Sequence, residues 1–232
     1  MAPQRRASLA DFAIADPMVG ERLAEGLHRG ADGVVRCWWA GDDELYGRYH
    51  DDEWGVPIGD DRVLFELLCL EGFQAGLSWI TILRKRDAFR SAFAGFDPAQ
   101  VAAFGPDHVA RLMADPSIVR NRAKIGATIG NARAVLEMAP GELARLVWES
   151  EPTAHGRPAV LDAVAVRSLV STFESTAVSK VLKHLGWRFI GPTTIYAFMQ
   201  SAGVVNDHVA GCPRRAACEQ ARAVFVHPLH AC

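Results

Sequence analysis

The stretch Leu64–Arg86, LFELLCLEGFQAGLSWITILRKR, decides the fold class. Asp60 or Asp61 stands at its start as an N-cap, and Val63, Leu64, Leu67, Leu68 and Glu71 recur at helical spacing. Gly72 and Gly76 flank the turn that follows, and LSWITILRKRDAFRSAF (77–93) restarts a helix. The pattern is helix, tight turn, helix. Glu71 follows the apolar run Leu67–Leu70 and is expected to be at least partly buried. A carboxylate taken out of water without a partner is costly, so a buried acid needs a task.

Outward from this stretch the chain keeps the helical period. Asp97-Pro98 opens another helix with proline at its first position. Val109–Met113 is a short helical stretch broken at Asp115-Pro116. Asn121–Met138 is a long amphipathic helix with Ile125, Ile129, Ala132, Val135 and Leu136 on one side. Residues 150–170, with Pro152, Gly156 and Pro158, read as a surface loop joining two halves. Thr176–Leu185 is helical and ends at Gly186, and WRFIGPTTIYAFMQSAG (187–203) is a tight turn followed by a helix. No segment alternates as a strand would, so the expected class is all-α. Residues 1–35 are expected to be a poorly ordered extension, with a short helix near Pro17–Leu27 at most. The ordered domain is expected over 36–213, with a tail over 214–232.

With 232 residues, half of them hydrophobic and 22% charged, the chain has room for a sizeable core, which excludes wholesale disorder. The net charge of −2 argues against nucleic acid in bulk, so any DNA footprint must be local. No apolar run is long enough to span a bilayer, and no apolar segment follows the basic N-terminus. Five scattered cysteines fit reduced thiols or a metal site better than a disulfide framework. These readings give a cytoplasmic protein without membrane contact. The absence of any coiled-coil pattern points to a monomer.

Three constellations carry chemistry. Cys37 and His50 lie at one end of the expected domain, and His208 and Cys212, one helical turn apart, lie at the other. Cys2His2 makes a closed tetrahedral zinc shell with no open site for metal chemistry. The spacing is not a tight signature, and Cys218, His227, His230 and Cys232 are further candidates, so spacing alone leaves the ligand set open. The second constellation is aromatic. Trp38, Trp39, Tyr46, Tyr49 and Trp54 crowd into the polar segment 36–57, and Glu71 and Trp79 stand on either side of the turn GFQAGLS. Ordinary core packing is the simplest reading of any one Trp, but the cluster around a lone acid suits a flat, electron-poor ring. An alkylated purine is a cation, and a cation over a Trp or Tyr face gains roughly 0.5–2 kcal/mol per contact. The third is the hairpin Gly186–Thr194, whose outward N–H groups and helix N-terminus suit a phosphate. Lys180, Lys183 and Arg188, with Arg84-Lys85-Arg86 and Arg120, Arg122 and Lys124, could supply a local positive face.

The strings YHDDEWG (49–55), LEGFQAGLSW (70–79), IVRNRAKIGATIGNARAVL (118–136) and VNDHVAGC (205–212) occur in order over most of Arg36–Cys212. In them the chain resembles the DNA-3-methyladenine glycosylase I family, part of the helix–hairpin–helix DNA glycosylase superfamily. The resemblance implies one structural Zn2+ per chain, held by Cys37, His50, His208 and Cys212 as a staple between the two ends. It implies Glu71 as the catalytic acid, with Tyr49 as a second hydrogen-bonding group, Trp39 and Trp79 as stacking walls and Trp54 nearby. Leu77 would be the wedge that fills the gap left by an extruded base, with Gln74 and Gly76 on the same turn. Gly191, Thr193 and Thr194 would hold the DNA backbone. The implied partner is double-stranded DNA containing an alkylated purine.

The chain departs from the family at Trp38, where the family often has Gly. Asn206 stands where many of the wider superfamily carry a catalytic Asp, and Thr193 where bifunctional relatives carry a Schiff-base lysine. Both point to a monofunctional enzyme that leaves an abasic site. Two other classes compete with this reading. A non-catalytic backbone-binding protein would need no aromatic cage, and a catalytic zinc hydrolase would need an open coordination position.

Overall fold

The computed structural model describes residues 23–153 and 156–230. Twelve α-helices occur among them: α1 (Glu44–Asp52), α2 (Asp61–Gln74), α3 (Trp79–Leu83), α4 (Arg86–Ala92), α5 (Pro98–Ala102), α6 (Pro106–Ala114), α7 (Arg122–Leu136), α8 (Glu142–Trp148), α9 (Ala163–Ser168), α10 (Phe173–His184), α11 (Pro192–Ser201) and α12 (Pro213–Val224). The central element is α2, which packs on α3, α7, α8 and α11. Its residues from Leu64 to Phe73, Glu66 excepted, are buried. A helix apolar nearly all round has to sit inside the protein. Asp60 is its N-cap, accepting from the Val63 N–H at 3.0 Å. Asp61 reaches instead to Gly141 N–H (2.7 Å) and Ala144 N–H (2.8 Å), satisfying the start of α8.

Proline, Asp and Asn set several other helix starts. Asp97 caps α5 ahead of Pro98, and Asn121 accepts from Ala123 and Lys124 N–H at the head of α7. Thr172 and Ser175 cap α10 reciprocally, so this helix begins three residues before the expected Thr176. The single helix expected over 77–93 is two, α3 and α4, because Lys85 sits at φ −105, ψ 0 and interrupts the ladder. A cluster of Phe65, Phe73, Phe89, Phe93, Phe96 and Phe104 joins α2 to α4 and to the segments on either side of α5.

Two expectations are corrected. Part of the supposed extension is built into the fold: Leu27–Arg29 (β1) pairs antiparallel with Val35–Cys37 (β2), Leu27 opposite Cys37. Strands of three residues are too short to show alternation, and tertiary contacts hold these two in place. Arg36 binds Asp32 and Asp51, and Gly26 packs so tightly on α9 that a Cβ there would lie 2.6 Å from the Ala163 Cβ. The boundary expected at 35/36 therefore cuts through β2. Residues 150–170 are not all loop, since α9 lies within them. Most of the helix expected near Pro17–Leu27, and the candidate ligand Cys232, fall outside the described residues. No helix among the described residues is long and apolar enough to cross a membrane.

Candidate active site

The end of β2, helix α1 and the segment before α12 bring Cys37, His50, His208 and Cys212 together, all buried, with one ligand atom from each within 4.8 Å of the others. His208 and Cys212 do not share a helix as expected. They stand on an irregular turn in which Gly211 takes φ +89, a left-handed value suited to Gly, and Cys212 is the N-cap residue of α12. The two still converge, with Cys212 Sγ 3.6 Å from His208 Nδ1. Three more of the six edges are Cys37 Sγ–His208 Nδ1 3.7 Å, Cys212 Sγ–His50 Nε2 3.6 Å and His208 Nδ1–His50 Nε2 3.2 Å. A tetrahedron with metal–S of about 2.3 Å and metal–N of about 2.05 Å has edges of roughly 3.5 Å for S···N and roughly 3.3 Å for N···N.

The outward ring nitrogens are also engaged. His50 Nδ1 meets Asp51 Oδ1 at 2.8 Å and His208 Nε2 meets the Trp54 carbonyl at 3.0 Å. These partners leave His50 Nε2 and His208 Nδ1 to face the cluster as acceptors. Between the thiols, a shared hydrogen bond pulls Cys212 down and pushes Cys37 up, so without a cation beside them one of the pair keeps its proton. The donor set, edges and tautomers fit one structural metal ion. Cys218 lies beside the cluster on α12 but donates to the Trp54 carbonyl at 3.7 Å.

Directly against this cluster is the aromatic pocket. Trp39 touches His50 (ring centroids 5.1 Å), Trp54 (4.8 Å) and Tyr46 (4.9 Å), and Trp54 touches His208 (4.7 Å). Tyr49 in turn meets Trp79, with ring centroids 5.5 Å apart. Trp38, Trp39, Tyr49, Trp54, Glu71, Gln74 and Trp79 line a cavity of about 190 Å³, together with Val166, Ala197, Gln200 and Ser201. A dry apolar cavity of about 150 Å³ already holds a benzene ring. Trp38, the departure from the family pattern, forms part of the rim with Val166 of α9, and the Arg167 guanidinium lies 4.7 Å from its ring.

Glu71 is 3% exposed. Its Oε1 accepts from Ser201 Oγ (3.0 Å), which in turn accepts from the Tyr49 hydroxyl (3.0 Å). Oε2 is buried with no partner, as is Trp79 Nε1. Burial pushes the Glu71 carboxyl up to about 8, against the Ser201 hydrogen bond that lowers it. Tyr49 is raised well above its ordinary value by burial and by the neighbouring Glu71. Sequence reasoning missed Ser201, Gln200 and Ala197. Their signal was helical spacing, since 197, 200 and 201 fall on one face of α11.

Gly76 (φ +82) and exposed Leu77 form the turn after α2, beside Gln74 at the pocket. Gly191, Thr193 and Thr194 open α11, with Gly191 as N-cap and Pro192 at its first position. Of the cations expected on a positive face, Lys180, Lys183, Arg188, Arg120 and Arg122 are exposed and have no acidic partner among the described residues. The others are engaged. Arg84 pairs with Asp43, Arg86 with Glu53, and Lys85 binds the Pro116 and Ser117 carbonyls. Lys124 is buried and donates to Phe73 and Ala75 carbonyls, so it belongs to no exposed patch.

Asn206 and Asp207 lie outside the pocket. The Asn206 amide donates to the Arg215 carbonyl and to Glu219, while Asp207 is held by Arg157, Tyr196 and Gln200.

The methyladenine glycosylase family model matches residues 39–215. The chain is 50% identical over 182 residues to DNA-3-methyladenine glycosylase 1 of Escherichia coli (strain K12), covering 77% of this chain and 96% of the relative. It is 45% identical over 183 residues to the DNA-3-methyladenine glycosylase of Haemophilus influenzae, covering 78% and 97%. The solved structure of 3-methyladenine DNA glycosylase I from Staphylococcus aureus matches with a TM-score of 0.71 at 35% identity, covering 78% of this chain and 96% of that one. With His50, His208, Cys212 and the pocket residues other than Trp38 inside the matched span, and Cys37 just before it, the chain belongs to the methyladenine glycosylase family.

Proposed function

We propose that this protein is a monofunctional base-excision repair glycosylase that removes 3-methyladenine from double-stranded DNA, acting as a monomer in the cytoplasm. The observation that carries the reading is Glu71, a buried carboxyl with one unpartnered oxygen, in the wall of a tryptophan-lined cavity. The names of the relatives support it. So does a variant of a 3-methyladenine DNA glycosylase I, 35% identical to this chain, whose structure was solved in complex with 3-methyladenine.

The lesion is flipped out of the duplex, at lower cost than a sound pair, and Leu77 fills the gap it leaves. Gly191, Thr193 and Thr194 hold backbone phosphate at the head of α11. Trp39, Trp54 and Trp79 flank the ring, while Tyr49 and Glu71 meet its polar edge. Entry of a positively charged purine favours the ionised form of Glu71, and the pocket then opposes the charge that marks the lesion. Water attacks the anomeric carbon and the bond to the purine nitrogen breaks. The electron pair leaves with the base and cancels its charge, so the leaving group needs no added proton. The attacking water gives up a proton and an abasic sugar remains.

Thr193 supplies no amine for a Schiff base. One Zn2+ held by Cys37, His50, His208 and Cys212 would be fully coordinated by protein, so its contribution is to fix β2, α1 and the start of α12 behind the aromatic wall.

The test is release of free base from methylated duplex DNA, analysed by chromatography. The wild type should release 3-methyladenine without strand cleavage, and Glu71→Ala should lower release by 100-fold or more, on the order of 3 kcal/mol of transition-state stabilisation. A folded, zinc-loaded protein that releases no base would overturn the reading in favour of a non-catalytic DNA binder.

A further inference from the structure

The turn that carries Leu77 and the hairpin before α11 are far apart in sequence, yet a duplex would have to meet both. A third element ties them together. Lys124 and Asn131 of α7 are seven residues apart, two helical turns, and lie on one buried face. Lys124 is 7% exposed and its Nζ donates to the Phe73 carbonyl at 2.8 Å and the Ala75 carbonyl at 2.6 Å, two of the last carbonyls around the end of α2. A cation placed there satisfies groups that the helix itself leaves without donors and opposes the negative end of its dipole. Asn131 grips the hairpin with both ends of its amide. Its Nδ2 donates to the Arg188 carbonyl at 3.1 Å and its Oδ1 accepts from the Arg188 N–H at 2.9 Å.

Between the two anchors sits Phe189, held at φ +57 with its ring centroid 6.0 Å from Lys124 Nζ. Gly72 of α2 lets the hairpin come this close, since a Cβ there would lie 3.4 Å from both the Phe189 Cβ and its carbonyl oxygen. Neither Lys124 nor Asn131 lines the base pocket. A buried lysine with no carboxylate beside it is an expensive choice for filling space.

We infer that Lys124 and Asn131 are positioning residues that set the spacing between the Leu77 turn and the Gly186–Gly191 hairpin, so that a duplex seated on the hairpin meets the wedge in register. This rests on the glycosylase reading above for the identity of the two DNA-facing elements. Neither residue touches DNA itself.

The experiment compares two affinities in Lys124→Met and Asn131→Ala: one for free 3-methyladenine, the other for a duplex containing a stable tetrahydrofuran abasic site. Thermal melting confirms that both variants are folded at the assay temperature. Each removed anchor leaves buried or part-buried backbone groups without their partner on the element it held. Duplex affinity is expected to fall about tenfold, while free-base affinity stays within about twofold. Asn131→Asp, which keeps the acceptor for the Arg188 N–H, should recover part of the loss. Equal losses of both affinities would make the pair a general prop of the fold and overturn the inference, as would unchanged duplex affinity in both variants. A wild type that binds the abasic duplex but releases no base sinks the glycosylase reading and leaves the spacing role standing.

Discussion

Glu71 concentrates the residue-scale chemistry. Its ordinary carboxyl value is 4.5 and burial raises it to about 8. The folded state therefore holds a proton that the unfolded state has released between those values, so stability falls as pH rises through that window. The penalty is absent below about pH 4.5, complete above about pH 8, and amounts to at most about 5 kcal/mol. Glu71→Gln removes it. The variant should melt close to the wild type at pH 5 and several degrees above it at pH 8.5, while losing base release. Parallel melting curves across that range would show that Glu71 is not held neutral. Ser201 donates the one side-chain hydrogen bond that draws Glu71 down. Ser201→Ala should therefore move the Glu71 titration, read by carboxylate NMR, further up. A downward or absent shift would mean that Tyr49 reaches Glu71 without Ser201.

Among the elements, α2 and the turn after it do two jobs. The helix buries its length in the core and ends by presenting Gln74, Gly76 and Leu77 outward. Leu77 is 44% exposed and has no packing role that would explain a large apolar side chain there. Leu77→Ala should change the melting temperature by less than about 2 °C. It should lower base release from duplex DNA several-fold and leave free-base affinity unchanged. Release rates equal to wild type would overturn the proposed wedge role of Leu77. Trp38 and α9 add to the lining of the pocket through Val166, with the Arg167 guanidinium on the Trp38 ring.

For the whole molecule, the Cys/His cluster joins chain ends more than 150 residues apart and sits against the aromatic wall. Metal in such a cluster couples directly to folding. Purified protein should contain one zinc per chain by elemental analysis. Cys212→Ser or exhaustive chelation should cost several kcal/mol, roughly 10 °C or more in melting temperature. Base release should fall with it as Trp39 and Trp54 lose their backing. A chelated protein with unchanged stability would show that the four side chains hold themselves together without an ion.

The helical class, the burial of Glu71 and the candidate residues of the pocket and cluster were legible in the sequence. Helical period, caps and the polar aromatic segment are local signals, written within a few residues of where they act. What only the tertiary structure decided is non-local. The Leu27–Cys37 pairing depends on Arg36 reaching Asp51 and on Gly26 meeting Ala163, neither of which leaves a periodic trace. Ser201 reads as one more polar residue on a helix until Tyr49 and Glu71 arrive on either side of it. Lys124 reads as a surface cation until the end of α2 is folded over its ammonium group. Composition and spacing fix which side chains a helix presents. Which of them lose water, and to which partner, is fixed only when distant helices close on one another.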